Sequence, residues 1–456
     1  MLKKIISFEI SFEKINFSEN RYKALFAFSL IISNYLIFDY VRTKSSKLIS
    51  FIDEYLALTS NFGFFTSLDF NAGEFIGGSY SVLLTSGPIS SIGGVITWII
   101  TENFRISRIG NFYWIIGLQF LFSYFLTKKY DGNFKHLLYF NLLFIFLIPW
   151  WQGSLYSIGE IPSMIIFTNA IFLFHKKRNF SLLLISISIV FGKILTFLPF
   201  LGFYLFIFLK EKNFKILIKD MLLFFIPVFT WLIFVSFKYE NGGLIDYFND
   251  FVSFIFSHPS SGTKGIFMSS LNSLINNSEV MDWNAYDVLR IGLIPLIFCA
   301  IILKNKKILD EKFQYFTLPL FGSIFLPYIW FWIFSETKWI RYSQHFTILI
   351  ILSAIYFLNF TISFDKLSTF LIVLITLNFV ENGLIVILSL FLLAYLFYRH
   401  SESSNDYLKL LIVSAILLEL TSAYFQKNTI ANISETVYEC EIELMSDNCL
   451  TKYLEN

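Results

Sequence analysis

Charged residues are scarce in this chain of 456 residues. Asp, Glu, Lys and Arg together make up only 15% of it, whereas hydrophobic residues make up 56%. A soluble domain carries about 25% charged residues, and here the few charges fall in clusters between long apolar runs. This pattern excludes a soluble globular domain. It predicts an all-α, polytopic integral membrane protein that lies in a lipid bilayer.

Cysteine is also scarce, with three residues in the chain, and their spacing matches no metal site. Cys299 lies inside an apolar run and is predicted to be a packing residue. Cys440 and Cys449 lie in the polar C-terminal tail. In an oxidising compartment they form a disulfide, and otherwise they are two free thiols; the sequence leaves both open.

Two further absences bear on function. The sequence has no compact Asp-x-Asp motif, so nothing in it requires a divalent cation. If Mg²⁺ or Mn²⁺ is used, hard oxygen ligands are available from Asp53, Asp69 and Glu160.

No inverted repeat relates two halves of the chain, which argues against a transporter. The net charge of +2 says little about partners, and we expect no nucleic acid among them.

Apolar runs separated by charge clusters dominate the chain, and a spanning helix needs roughly 20 residues. We predict about 11 to 13 transmembrane helices on this basis. The run 181–209 is too long for one span and too short for two. Because Lys193 and Pro199 interrupt it, we predict two short helices that meet at a bend. The runs are 24–40, 110–126, 137–151, 161–174, 181–209, 222–237, 288–303, 316–334, 346–364, 368–379, 384–398 and 408–425.

The distribution of Lys and Arg predicts the orientation. With a cytoplasmic N-terminus, the main basic clusters all fall inside. Residues 1–22 then form a cytoplasmic amphipathic segment with no evident cleavable signal, 23–400 a membrane domain, and 401–456 a last helix with an outer polar tail. Two long loops, 43–108 and 239–287, fall outside. We expect the first to carry short helices and the chemistry.

The first outer loop holds most of the candidate acids. Asp53 and Glu54 form an acidic pair soon after the first predicted span, and Asp69 and Glu74 follow. The pair serves either as a catalytic carboxylate or as a cap of an interfacial helix. Asp69 and Glu74 either orient a substrate or are ordinary solvated acids.

Four later residues are candidates for substrate binding. Lys193 lies between apolar runs, where a charge is costly; it either contacts a phosphate or snorkels to the surface. Arg341 can bind phosphate in a forked geometry or anchor the interface. Glu160 lies near a span end, where it is either functional or wet. Arg108 opens the predicted span 110–126. His345 is predicted to be interfacial, not catalytic.

The order of motifs in the first half of the chain resembles the C-type membrane glycosyltransferases (GT-C). The segment GPISSIGGVITWIITENFRISRIGNFYWIIGLQFLFSYFLTKK, residues 87–129, has a Gly-Pro turn, a short helix, a basic residue at Arg108 and a final basic pair. Residues 186–212 are similar to a later family segment through Gly192, Lys193, Thr196 and Pro199. Asp53–Glu54 stand at the place of the family's first acidic motif.

The resemblance implies a GT-C-like fold and a function in cell-envelope glycan biosynthesis. The donor would be a sugar on a polyprenyl phosphate, and the acceptor a lipid, glycan or protein on the outer face of a bacterial plasma membrane. In such a reaction the acceptor hydroxyl attacks the anomeric carbon and inverts it. The resemblance assigns the base to Asp53, with Glu54 beside it.

Two other functions remain open at this point. An O-antigen-type polymerase or ligase would use arginine and histidine in a late outer loop and would not need Asp53. A flippase or transporter of lipid-linked sugar would carry acids and prolines in mid-span. Loss of transfer after substitution of Asp53 separates the first function from these two.

Overall fold

The structure is a computed structural model, and it describes residues 52–67, 86–102, 104–129, 159–236, 285–304, 317–335 and 340–361, with residues 245 and 249. Helices make up almost all of these ranges. One isolated antiparallel β-bridge joins Ser86 to Lys193. The all-α fold class predicted from the sequence is therefore confirmed for the described residues.

The described helices are α1 Ile52–Ser67, α2 Ile92–Thr101, α3 Phe104–Lys129, α4 Glu160–Ile187, α5 Phe197–Glu211, α6 Phe214–Ser236, α7 Ala285–Lys304, α8 Thr317–Ile329 and α9 Gln344–Thr361. Helices α3 to α9 coincide in part with predicted apolar runs, whereas α1 and α2 lie in the predicted loop 43–108. The predicted runs 24–40, 137–151, 368–379, 384–398 and 408–425 lie outside the described residues, as do Cys440 and Cys449.

Among the described residues, four segments are long and apolar enough to cross a membrane: Ile106–Leu126, Ile194–Glu211, Phe214–Phe234 and Thr317–Phe334. Their lengths of 18 to 21 residues approach the roughly 20 that a bilayer requires. Together with the composition, they establish an integral membrane protein. The predicted domain boundaries stay predictions.

Helix α4 is a hairpin of two limbs. Lys177 has non-helical backbone angles (φ −141°, ψ 50°) and separates Glu160–Lys176 from the second limb. The Ser181 hydroxyl donates a hydrogen bond to the Ala170 carbonyl across the limbs, so the chain folds back on itself at the basic cluster. The first limb is about 25 Å long at 1.5 Å per residue, which puts Glu160 and Arg178 at opposite ends.

The second limb returns to the level of Glu160 and ends in a bend. A π-helical turn covers Ser188–Gly192, Lys193 is extended (φ −133°, ψ 124°), and a 3₁₀ turn covers Ile194–Thr196. The predicted bend is present at Lys193. Pro199, however, does not interrupt the helix, because it lies in the first turn of α5, where proline is tolerated.

Helices α5 and α8 cross with their backbones nearly in contact. A Cβ built on Gly202 would lie 2.0 Å from the Gly322 carbonyl oxygen, and one built on Gly322 would lie 2.3 Å from that of Gly202. Only glycine at both positions permits this approach. The crossing fixes α8 beside α5, which begins just after the bend at Lys193.

Candidate active site

A short turn over residues 86–91 lies against the bend at Lys193. It contains the 3₁₀ helix Pro88–Ser90. The Gly87 amide donates a hydrogen bond of 2.8 Å to the Gly192 carbonyl, and the Trp114 indole N–H donates one of 2.9 Å to the Ile89 carbonyl. Two distant parts of the chain thus hold this turn in one position.

Asn61 ties helix α1 to the same turn. It is fully buried, and its amide group donates to the hydroxyls of Ser90 at 3.1 Å and Ser91 at 2.7 Å. These bonds join the helix that carries the predicted base to the turn that carries Ser86. Sequence reasoning did not identify Asn61.

The ammonium group of Lys193 is the centre of the site. Its Nζ donates a hydrogen bond of 2.7 Å to the Ser86 hydroxyl and lies 3.6 Å from Glu160 Oε1. Lys193 is only 8% exposed and Glu160 is 0% exposed. The predicted residues Glu160 and Lys193 are therefore together, and neither reaches the surface as a snorkelling or wet side chain would.

The Glu160 carboxylate is poorly satisfied. Neither of its side-chain oxygens accepts a hydrogen bond, and 3.6 Å to Lys193 is longer than a hydrogen bond. Its position in the first turn of α4 gives partial compensation from the helix dipole. A buried carboxylate with so few partners is costly in a structural role, so the pair is typical of a binding site.

Gly159 sets the direction in which α4 begins. Its φ of +93° lies in the left-handed region, and a Cβ there would lie 2.5 Å from the Ser90 Cβ. A side chain would therefore add both backbone strain and a clash. Glycine at this position lets Glu160 approach the turn over residues 86–91.

Ser163 supports the backbone of Lys193. Its hydroxyl donates to the Ser188 carbonyl and accepts a bond of 3.2 Å from the Lys193 amide. The Thr196 hydroxyl lies 2.7 Å away and must be the donor, because Ser163 has one hydroxyl hydrogen. The bend is thus held by buried hydroxyls on both sides of Lys193.

His345 lies near the site and is buried, with 1% exposure. Its Nδ1 is 3.2 Å from the Tyr342 carbonyl, which only accepts, so Nδ1 carries the hydrogen. His345 precedes the apolar run 346–364 and lies outside the four candidate spans. Burial lowers the pKa of His345, and the positive charge of Lys193 lowers it further. The lowered pKa favours the neutral imidazole, and the prediction that His345 is interfacial stays a prediction.

The other predicted site residues have different positions. Arg108 is fully buried in the first turns of α3. The backbone of Asp53 and Glu54 lies in the first turn of α1, and that of Arg341 in the 3₁₀ helix Ile340–Ser343. The side chains of these last three residues, and all of Asp69 and Glu74, lie outside the described part of the structure.

No group of three His, Cys, Asp or Glu side chains that could hold a metal ion occurs in the described residues. Of the proposed oxygen ligands, the side chain of Glu160 is described, and its carboxylate oxygens are chemically suited to a hard cation. The divalent cation stays a prediction.

Several residues of the site are not evident from the sequence. Ser86, Ser163 and the residues at the start of α9 carry no recognised motif. One signal was present: Ser163 follows Glu160 by one helical turn, so both lie on one face of α4. Polar residues on one face of an apolar helix indicate an interior polar site.

The fold and site define a polytopic α-helical membrane protein with a buried ammonium–carboxylate site at one end of its bundle. Neither a protein-family model nor a curated protein matches the chain. Among solved structures, the chain is similar to ArnT from Cupriavidus metallidurans in the apo state. They share 11% identity and a TM-score of 0.47, over 88% of this chain and 77% of that chain.

At 11% identity and a TM-score of 0.47, this likeness assigns neither a family, an activity nor a residue role to the chain.

Proposed function

We propose that this protein is a membrane glycosyltransferase that transfers a sugar from a polyprenyl-phosphate donor to a lipid, glycan or protein acceptor. The observation that carries the proposal is the buried Lys193 ammonium, with Ser86 at 2.7 Å and Glu160 at 3.6 Å. An ionisable group in the interior of a membrane protein is costly and marks a functional site by default. An anionic lipid phosphate is the complementary ligand.

Lys193 and the Ser86 hydroxyl are suited to the departing phosphate. The acceptor oxygen attacks the anomeric carbon, the bond from that carbon to the phosphate oxygen breaks, and its electron pair stays on the phosphate. A fixed ammonium and a hydroxyl donor stabilise this charge as it develops. The single displacement inverts the anomeric carbon.

The proton of the acceptor hydroxyl goes to a carboxylate, and we assign this role to Asp53. The hydrogen bonds from Asn61 to the turn over residues 86–91 connect helix α1 to the phosphate side of the site. Asp53 and Glu54 lie roughly two turns before Asn61 in that helix. Glu54 is the second candidate for the base.

The proposed site faces the non-cytoplasmic side of a bacterial plasma membrane. Lys177 and Arg178 lie at the end of the α4 hairpin that is opposite to Glu160 and Lys193. The positive-inside rule favours the cytoplasm for the basic end. We also propose contacts to the donor or the acceptor from Arg108, Arg341, Asp69 and Glu74. A divalent cation, Mg²⁺ or Mn²⁺, is a proposed cofactor.

The test compares Asp53→Asn, Glu54→Gln and wild-type protein in cells at matched membrane levels. Mass spectrometry of envelope glycans and lipids detects the transferred sugar, and cells without the protein give the background. We expect a sugar that depends on the wild-type protein and is lost with Asp53→Asn. Thr66→Val, on the exposed side of α1, is the matched control and should retain transfer.

Two results would overturn this proposal in different ways. Full transfer by both Asp53→Asn and Glu54→Gln would show that neither carboxylate is the base, and it would favour a polymerase or ligase. A sugar-lipid that accumulates on one membrane face without any transferred sugar would instead indicate a flippase or transporter.

A further inference from the structure

The first turn of α9 places three neutral polar side chains in the protein interior. Gln344 is 2% exposed, His345 1% and Thr347 1%. They precede or interrupt an otherwise apolar helix. Buried polar groups in folded proteins are almost always hydrogen-bonded, so each of these side chains requires a partner.

These side chains lack partners for most of their polar atoms. Both amide atoms of Gln344, Nε2 of His345 and the hydroxyl of Thr347 make no hydrogen bond. Each unsatisfied buried group costs about 1–3 kcal/mol. Since three of them occur within four residues, a ligand that supplies the missing bonds explains them better than packing does.

The position of this cluster connects it to the candidate active site. The charge of Lys193 acts on His345, and helix α9 packs against α4, which carries Glu160. The ring of Tyr342, whose carbonyl accepts from His345, is 5.8 Å from that of Trp330. Aromatic rings beside hydrogen-bonding groups suit a ligand with one apolar face and polar edges.

We propose that Gln344, His345 and Thr347 form the subsite for the sugar ring of the donor, and that this subsite takes an uncharged sugar. The inference rests on the proposed function, because the lipid phosphate at Lys193 brings the sugar to α9. Trp330 and Tyr342 supply the aromatic side of the subsite.

The chemistry of the three side chains matches sugar hydroxyls. The Gln344 amide donates and accepts, and the Thr347 hydroxyl does both. His345 carries its hydrogen on Nδ1, so Nε2 offers a lone pair to a hydroxyl hydrogen. None of the three carries a charge that would pair with the carboxylate of a uronic acid or the ammonium of an amino sugar. Binding requires displacement of the side chains that cover these atoms, and changes of side-chain rotamer are common on binding.

The test uses the full chain in lipid nanodiscs and four lipid probes. These are polyprenyl phosphate and the same lipid linked to glucose, glucuronic acid or glucosamine. We expect wild-type protein to bind the glucose lipid more tightly than polyprenyl phosphate, and the two charged sugars less tightly than glucose. Gln344→Leu and Thr347→Val should each weaken binding of the glucose lipid about three- to tenfold. Neither should change binding of polyprenyl phosphate.

A stability measurement separates this role from a structural one. Thr347→Val keeps the shape and removes an unsatisfied hydroxyl, so the ligand-free protein should be equally or more stable. Ser353→Ala is the matched control, since Ser353 is a buried α9 residue whose hydroxyl also lacks a partner, further along the helix. It should leave the binding of all four probes unchanged.

The outcomes distinguish this inference from the proposed function. If the protein binds polyprenyl phosphate but Gln344→Leu and Thr347→Val bind the glucose lipid as wild type does, the sugar subsite is overturned alone. Preference for the glucuronic acid or glucosamine lipid overturns its neutrality. If wild-type protein binds none of the four lipids, the proposed function falls together with the subsite.

Discussion

Two charge clusters lie at opposite ends of the α4 hairpin, and they differ in how well their charges are satisfied. At one end, Arg178 donates from Nε to Asp220 at 2.8 Å and from Nη1 to Glu211 at 2.7 Å, and Nη2 also contacts Asp220. The Tyr204 hydroxyl adds a bond of 2.7 Å to the same Asp220 oxygen. At the other end, Glu160 accepts no hydrogen bond and lies 3.6 Å from Lys193.

We interpret this difference as one between a structural cluster and a cluster with the proposed functional role. A buried ion pair stabilises a fold only if good geometry and additional hydrogen bonds offset desolvation. The Arg178 cluster, hereafter the closed cluster, meets that condition, and it joins the turn of the α4 hairpin to the end of α5 and the start of α6. In the Lys193–Glu160 cluster, hereafter the open cluster, the Glu160 carboxylate accepts no hydrogen bond, and we attribute the retention of this buried charge to function.

The largest expected effect comes from removal of the ammonium at the open cluster. Lys193→Met should reduce sugar transfer about a hundred- to a thousandfold, because the departing phosphate loses its cation. Lys193→Arg should retain part of the activity, and the exposed Lys215→Met, at the opposite end, all of it. The measurement is the initial rate of transfer from the donor lipid in nanodiscs.

A second variant excludes misfolding as the cause of that loss. Lys193→Met alone leaves the buried Glu160 without its cation, so the second variant combines it with Glu160→Gln and removes both charges. The double variant should fold with near wild-type stability and still lack transfer. Wild-type rates in the double variant would show that the open cluster has no role in the reaction.

A smaller effect, on stability alone, is expected at the closed cluster. Arg178→Met removes the cation beside the buried Asp220 and should lower the free energy of unfolding by about 2–3 kcal/mol. Because Arg178 is far from Lys193, transfer per folded molecule should not change. Denaturant unfolding in detergent, followed by tryptophan fluorescence, measures the first quantity. A loss below about 0.5 kcal/mol, the range of an ordinary surface substitution, would contradict the comparison.

The smallest effect is expected at Asn61, which connects α1 to the open cluster as a positioning residue. Asn61→Leu removes the bonds to Ser90 and Ser91 and should lower kcat about tenfold, since misplacement of a catalytic group is costly. The KM for the donor should stay unchanged, because Lys193 is untouched. A raised KM with an unchanged kcat would assign Asn61 to donor binding instead.

Local patterns predicted much of the fold. The lysine in an apolar run marked the bend at Lys193, and the basic cluster around Arg178 marked the end of the first α4 limb. Both are features of a short stretch of sequence, in which a charge or a break stands out against apolar neighbours. The start of α6 was misplaced, because Asp220 lies inside that helix, paired across the bundle with Arg178.

The composition of the site was less accessible to sequence reasoning. Lys193 and Ser86 are 107 residues apart in the chain, and their bond depends on how the turn over residues 86–91 packs against the bend. The burial of His345 was not predicted. It follows from the inward packing of the first turn of α9, which only tertiary structure determines.

The paired glycines Gly202 and Gly322 have a consequence for the range of substrates. Helix α5 starts just after Lys193, and α8 leads directly into the π-helical turn that contains Trp330. Because two backbones in close contact cannot slide past one another, we expect the distance between Lys193 and Trp330 to be fixed. A donor with a disaccharide in place of one sugar would then be too long for the proposed subsite. A bulkier residue at either glycine would separate the two helices and change that distance.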